Sequence, residues 1–514
     1  MIPVAATRPS LRLDSGGPLR AVGRLSHGGA MPRLGRSDRR ELRAVLVFLA
    51  LALPFGALLA LATPPHDAPD EPRHLQRVWL TSVGRLAVPP SQAGQGGEMP
   101  TSLLELHPRY TKGTSGCRHD PAEVRASIGI PLQPERASDA IRTPILYGPV
   151  GYLPQAGGVA VGRALGVGAG GLFYLSRIAN LLTWSLLCAL AIAVAPTRRA
   201  VLAAAALLPM SLFEASTDSA DASTNGLGLL LLGLVLRLAA TGRGPVQTWE
   251  KLGVALVTLL LGLGKPGYSG LALIVLAIPA ARFAPAADPA DAAALGEGAR
   301  ARWSFVGSVL GLAVVVPAAW WAVVQLGGPY PYPNADPPAQ LEGLLRAPWR
   351  AFGLVAATAV ERPLDHVRGV IGVLGRLDVG LPTLVYVGFG AILLAASLGV
   401  PRADRPDCPA RPASSISQAR VERLERSTRY ALGWCAVFGA AAIVLLLYVS
   451  ATPVGASRAV GIQGRYFLPF VPLALCALPT RLELAPRVVG ALVAGQLAGW
   501  VATIAVVWQR YYAS

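Results

Sequence analysis

Acid–base chemistry needs a carboxylate or imidazole held beside a reacting group. One short stretch of the chain offers both, Pro69-Asp70-Glu71-Pro72-Arg73-His74-Leu75-Gln76-Arg77. Pro69 and Pro72 suit a tight turn into a first helical turn, where acids favour the helix N-terminus. At about 100° per residue, Asp70, His74, Arg77 and Thr81 share one face, and Leu75, Trp79, Val83 and Leu86 share the opposite one. The pattern predicts an amphipathic helix lying on a membrane surface, its ionisable side turned to whatever the protein handles. A surface helix with solvated charges would read the same way, so the rest of the chain must decide.

Further along, Glu214, Asp218, Asp221 and Asn225 are spaced four, three and four, which predicts a polar stripe on one helical face between apolar runs at 201–213 and 227–239. A carboxylate near hydrocarbon is costly and faces a cavity or a partner. A capping turn at Ser216-Thr217-Asp218 explains one or two of these acids, not three and an amide in register. Two cations fall at similar breaks. Lys265-Pro266-Gly267-Tyr268 interrupts two apolar runs, and Gln463-Gly464-Arg465-Tyr466-Phe467-Leu468-Pro469 opens another, with Arg458 just before it. Lys265 alone reads most simply as a snorkelling side chain. The planar fork of Arg465 suits a phosphate. Arg177 and Asn180 lie one turn apart at the edge of a further apolar run. Carboxylates beside cations at headgroup depth suggest acid–base chemistry next to a membrane-anchored phosphate. No Gly-rich nucleotide loop, Walker lysine or HExxH motif is present, and nothing suggests nucleic-acid readout.

The elements that must position these residues are membrane helices. The chain has 514 residues, 53% hydrophobic and 15% charged, and its apolar segments recur from end to end. That composition predicts an all-α integral membrane protein, and the net charge of +17 falls largely in short segments between apolar runs. About eleven transmembrane helices are expected, at 44–62, 172–194, 200–213, 224–240, 250–264, 268–283, 304–326, 382–400, 429–450, 466–480 and 486–508. Residues 1–43, with nine arginines and many Gly, Pro and Ser, read as a disordered basic cytoplasmic tail. Residues 44–510 read as a single polytopic membrane domain with large extracytoplasmic loops at 63–143 and 327–381. The Gly- and Pro-rich stretch 145–165 reads as a re-entrant or interfacial helix, because Arg198 and Arg199 place the end of the next span in the cytoplasm. An odd number of spans puts the C-terminus outside. Among the five cysteines, Cys117, Cys188, Cys408, Cys435 and Cys476, no disulfide framework or zinc spacing is visible.

These same residues carry a resemblance. Pro69-Asp70-Glu71-x-x-His74, Tyr147-x-Pro149-x-x-Tyr152-Leu153-Pro154-Gln155, Asp218-x-x-Asp221-x-x-x-Asn225, Lys265-Pro266-x-Tyr268 and Gln463-Gly464-Arg465-Tyr466-Phe467-x-Pro469 resemble, in order from about residue 45 to 505, the polytopic bacterial membrane proteins of domain-of-unknown-function family 2142. That family is similar in turn to the GT-C glycosyltransferases, with their acidic motif in the first outer loop and interfacial helices after it. The resemblance implies an enzyme of the bacterial plasma membrane that moves a sugar from a polyprenyl-phosphate donor to an extracytoplasmic acceptor, whether glycan, lipid or protein. It implies Asp70 as general base, Glu71 as assistant and His74 as the group that orients Asp70. Lys265 and Arg465, with Tyr268 and Arg458, would hold the donor phosphate. Arg77, Tyr147, Tyr152, Gln155, Arg177, Asn180, Asp218, Asp221, Asn225, Gln463 and Tyr466 would line the pocket. Asp70, Glu71, Asp218 and Asp221 could supply oxygen ligands to Mg²⁺ or Mn²⁺. Without a sizeable soluble C-terminal domain, acceptor recognition falls to the loops 63–143 and 327–381.

Three other functions fit parts of the pattern. A transporter or flippase of a lipid-linked saccharide would also need intramembrane charge and phosphate contacts, but no inverted repeat is visible. A surface polysaccharide polymerase or ligase would draw on a lipid diphosphate. A non-catalytic scaffold would tolerate replacement of the acids.

Overall fold

The computed structural model describes residues 36–87, 97–104, 106, 118–138, 143–241, 243–284, 292–325, 332, 334–401 and 415–513. Most of the basic tail, parts of both large loops, Cys117 and Cys408 lie outside the described residues. The first helix, Arg36–Ala62, begins before the apolar run, so residues 36–43 of the expected tail are helical.

Among the described residues six helices are long and apolar enough to cross a membrane: Glu41–Ala62, Ala169–Val194, Ala220–Ala239, Gly296–Val324, Glu422–Ala451 and Pro486–Tyr511. The other five expected crossings are short or broken. The 200–213 run is two helices, Arg199–Ala206 and Pro209–Ala215, parted just before Pro209, which has no N–H to continue the ladder. Thr248–Gly262 and Thr383–Leu398 are short helices. Pro266–Ala277 and Gly464–Phe470 wind as 3-10 helices, the second continuing as Val471–Ala477. A 3-10 helix rises about 2 Å per residue, so such a run reaches further than its length suggests. Ala220–Ala239 is the most deeply buried of the long helices and forms the centre of the bundle.

The two ends of the bundle use charge differently. At one end arginines satisfy backbone carbonyls left over where chains turn. Arg198 donates to Ser397 O and Leu478 O at 2.7 and 2.6 Å, and Arg302 to Ile278 O and Leu276 O at 2.6 and 2.9 Å. Arg237 pairs with Glu250 at 2.8 Å. The other end, reached after Ala62, carries the residues singled out for chemistry.

There the helix Glu71–Ser82 forms as its prolines and acid predict. It does not lie exposed on a surface: Leu75, Val78 and Trp79 pack into a cluster with Met99, Tyr152, Val159 and Phe173, and His74 and Arg77 are buried as well. The 145–165 stretch is a pair of 3-10 turns and a helix, Leu153–Ala164, folded back against Ala169–Val194. Among the described residues three two-stranded pairings brace the connections: Glu98–Pro100 with Arg136–Ser138, Val373–Leu374 with Val379–Gly380, and Gly399–Pro401 with Leu482–Leu484.

Candidate active site

The expected polar stripe is not one helical face. The helix ends at Ala215, and a new one starts at Ala220 with Ser219 as its N-cap, the Ser219 hydroxyl accepting from Asp221 N at 3.0 Å. The break divides the four residues. Glu214, Asp221 and Asn225 face one cluster, and Asp218 faces another.

The first cluster is closed. The guanidinium of Arg177 donates from Nε and Nη2 to the two oxygens of Glu71 at 2.8 and 2.7 Å. It also donates to the carbonyls of Ala60, Thr63 and Pro64, the free end of the first span, at 2.7, 2.6 and 3.1 Å. All five guanidinium donors are thereby used. Glu71 Oε1 accepts a further bond from Asp218 N at 3.1 Å, and Asp218 Oδ2 accepts one from Ser176 at 2.8 Å. Asn180 donates to Thr217 O at 2.8 Å. Although burial opposes it, Arg177 holds the Glu71 carboxyl below the usual carboxylate range. Burial, reinforced by the neighbouring Glu71 charge, pushes Asp218 up to about 8. Glu71, Arg177 and Asn180 therefore act here as fasteners, and Asp218 stands with them.

The second cluster is open. Lys265 is ion-paired with Asp221 and ringed by Tyr147, Tyr268 and Tyr466, its Nζ 5.0, 5.3 and 5.3 Å from their ring centres. Arg465 lies 3.4 Å from Asp221 and 3.7 Å from Glu214, and its Nε donates to Gln463 Oε1 at 2.6 Å. Asn225 donates to the other oxygen of Glu214 at 2.7 Å, and Tyr268 donates to Tyr466 O at 3.0 Å. Among the described residues the Nη2 group of Arg465 makes no hydrogen bond.

Close backbone approach assembles this cluster. Gly148 N donates to Gly264 O at 2.7 Å, and a Cβ on Gly148 would fall 1.9 Å from Leu263 O, so glycine is what lets Tyr147 reach Lys265. Gly464 likewise lies against Gly369 and the His366 carbonyl, where a Cβ would come within 2.3 Å.

His74 joins the helix Glu71–Ser82 to the open cluster. Its Nδ1 shares a 2.7 Å hydrogen bond with the Tyr152 hydroxyl, and its ring stacks on Tyr147 at 6.5 Å. Burial lowers its pKa to about 4, and the charges that act on it are Asp70, Asp221, Arg465 and Lys265. His74 is bonded to Tyr152, not to Asp70, so an orienting role toward Asp70 has no hydrogen bond behind it. Asp70 itself is half exposed and pairs with Arg73 at 2.9 Å. Its backbone is left-handed, with φ 56°, a conformation few non-glycine residues hold without support.

Other expected residues take other work. Arg77 donates to the carbonyls of Arg85 and Leu86 at 3.1 and 2.6 Å, and Gln155 to Ser219 O at 2.8 Å. Arg458, in the loop after Ala451, pairs with Glu361 at 2.9 Å, both half exposed and outside the open cluster. The four carboxylates offered as metal ligands do not converge: Asp70 engages Arg73, Glu71 engages Arg177, Asp218 engages Ser176 and Asp221 engages Lys265. Among the described residues no three His, Cys, Asp or Glu side chains form a ligand set.

A third network, unmarked by any motif, pins the strap carrying Asp70. Asp67 accepts from His119 at 2.9 Å and pairs with Arg376 at 3.3 Å, while Arg376 also donates to His66 O at 3.2 Å. His66 is buried with φ 67°. No spacing could have joined residues so far apart in the chain.

A multi-pass helical bundle with an ion-paired cluster buried at one end defines a membrane protein. Its family is also shown: the chain belongs to the predicted membrane protein family DUF2142, whose model matches residues 53–474. The match takes in both clusters and stops before the last long helix. No curated protein and no solved structure matches the chain.

Proposed function

We propose that the protein is a membrane glycosyltransferase that moves a sugar from a polyprenyl-phosphate donor to an acceptor outside the cytoplasm, on a fold of the GT-C kind with more crossings than the six long helices alone. The observation that carries this reading is the convergence of Lys265 and Arg465 at the open end of a buried bundle, with Asp70 and His74 beside them. Two cations held at membrane depth match a phosphate that arrives on a lipid, and Arg465 keeps one donor group in reserve for it. A fixed cation that stabilises charge developing on the leaving phosphate contributes to rate as well as to binding. Asp70, half exposed and close enough to act on His74, takes the acceptor proton. The acceptor oxygen attacks the sugar's anomeric carbon, the bond to phosphate breaks, and the polyprenyl phosphate leaves with the electron pair. Tyr147, Tyr152, Tyr268, Tyr466, Gln463, Asp221 and Asn225 shape the site.

The cluster then faces the extracytoplasmic side of a bacterial plasma membrane, with the N-terminus in the cytoplasm. The test is an in vitro transfer assay in nanodiscs with a panel of radiolabelled polyprenyl-phosphate sugars. Label transfer that depends on Lys265 and Arg465 supports the reading. Label that crosses the bilayer without leaving its lipid would replace it with a flippase.

A further inference from the structure

The second large loop contains three helices: Pro337–Arg346, Arg350–Glu361 and Pro363–Ile371. The middle one, Arg-Ala-Phe-Gly-Leu-Val-Ala-Ala-Thr-Ala-Val-Glu, has charge only at its ends. In water a helix with so little polar surface would bury its apolar side. Here it does so on one flank only, where Leu354 joins Val444 and Ala459 in a small cluster and Thr358 accepts from Ala459 N at 3.1 Å. The other flank stands open: Phe352 is 78% exposed, Val360 72%, and Trp349, just before the helix, 71%. Leu345 and Leu364 on the adjoining helices continue the apolar face, at 71% and 67%.

We propose that this face lies in the headgroup–acyl boundary of the bilayer leaflet on the side of the open cluster, so that the loop is a membrane-surface platform and the partner it fits is lipid. Depth is the first reason. In the helix Ser415–Ala451 the apolar run from Tyr430 to Ala451 spans about 33 Å at ~1.5 Å per residue, the thickness of a hydrocarbon core. Val444 sits about 10 Å from the end of that run, so Leu354 packs on the span below its end. That is the depth at which amphipathic helices settle in an interface. Continuity is the second reason. The platform follows a span whose own flank is open, with Val314 67% and Val315 64% exposed, and both faces must be covered by the same apolar medium. Composition is the third. Trp349 is the residue type favoured at headgroup level. Arg350 and Arg362, at the two ends of the middle helix, are exposed and make no ion pair among the described residues, which leaves them for lipid phosphates.

The platform is joined to the open cluster. Helix Pro363–Ile371 lies backbone to backbone on Gly464, next to Arg465, and Glu361 is tied to Arg458 in the loop that leads to Gly464. Lipid that seats the platform therefore sets the height of Arg465 in the membrane. The proposal does not depend on glycosyl transfer.

The experiment places one cysteine at Phe352 in a full-length background free of native cysteines. It is labelled with an environment-sensitive fluorophore and read in nanodiscs of phosphatidylcholine with phosphatidylglycerol. Ala356→Cys, on the same exposed flank, repeats the measurement should Phe352→Cys fold poorly, and Glu342→Cys reports a polar position. Doxyl-labelled lipid should quench the 352 and 356 labels about threefold or more above iodide, with the order reversed at 342. Iodide quenching at 352 equal to that at 342 would overturn the proposal in favour of a solvent-facing loop. Labels at 352 and 356 insensitive to both quenchers would overturn it in favour of a face covered by protein.

Discussion

Two buried charge clusters lie a few residues apart on the same strap and turn, and they are built on opposite plans. Around Arg177 every donor is used, both Glu71 oxygens are filled, and the free carbonyls of the first span are closed off. Around Arg465 and Lys265 one carboxylate, Asp221, is shared between two cations, the tyrosine rings turn their faces to Lys265, and among the described residues Arg465 Nη2 makes no hydrogen bond. A guanidinium with every donor engaged has none left for a phosphate, so Arg177 contributes to the fold, although Asn180 Oδ1 and Asp218 Oδ1 beside it accept no hydrogen bond among the described residues. An unsaturated cluster gives up stability and keeps capacity for a ligand. The two also have different reach: Arg177 joins the first and second long helices and the strap between the first span and Asp70, whereas Arg465 and Lys265 are brought in from distant segments by glycine contacts.

That contrast can be broken first at Arg177. Arg177→Met leaves Glu71 buried and unpaired, which should cost about 3–5 kcal/mol and show as a large fall in thermal midpoint and in recovered monodisperse protein. A variant as stable as the parent would mean that the closed cluster is not structural.

Lys265→Met should behave differently, because Arg465 still neutralises Asp221. Donor affinity should fall about tenfold or more while the thermal midpoint drops far less than in Arg177→Met. Adding Asp221→Asn should restore the remaining stability without restoring binding, as measured by titration with polyprenyl phosphate in detergent.

Acid should sharpen the contrast from another side. Burial lowers the pKa of both His66 and His74 to about 4, against an ordinary 6.5. The folded state keeps these rings neutral while the unfolded chain takes up protons. Stability is therefore complete above about pH 6.5 and declines as the pH falls toward 4, by at most ~1.4 kcal/mol per pH unit per histidine. Thermal melts across that range should show the decline, and His74→Gln should lessen its slope.

The smallest effect belongs to Arg458→Ala. Its pair with Glu361 is exposed, at 52% and 38%, so stability should move by less than about 1 kcal/mol. Donor binding should stay within about twofold of the parent, since Arg458 stands outside the open cluster.

Much of this site was legible in local sequence. Breaks in apolar runs marked Lys265, Arg465 and the acids, and the Gly and Pro around Tyr147 and Tyr152 marked a segment that does not cross in a straight line. The pairing was not legible. A four-three-four spacing assigns Asp218 and Asp221 to one face only if the helix is continuous, and Ser219 caps a new helix between them. Arg177 could be noticed as a charge in an apolar run, but its partner Glu71 is 106 residues away. Span counting failed to separate long helices from 3-10 runs because hydropathy does not encode rise per residue. The apolar character of residues 350–361 was readable, yet only packing against Val444 gives its depth.

The central claim is that the open cluster binds a lipid-linked donor and Asp70 takes the acceptor proton beside it. Asp70→Asn tests it most directly, because asparagine tolerates the left-handed backbone at this position and keeps the size of the side chain while losing its basicity. Turnover at saturating donor should fall by about two to four orders of magnitude, with donor affinity and thermal midpoint close to those of the parent. Near-normal turnover in this variant would contradict the account.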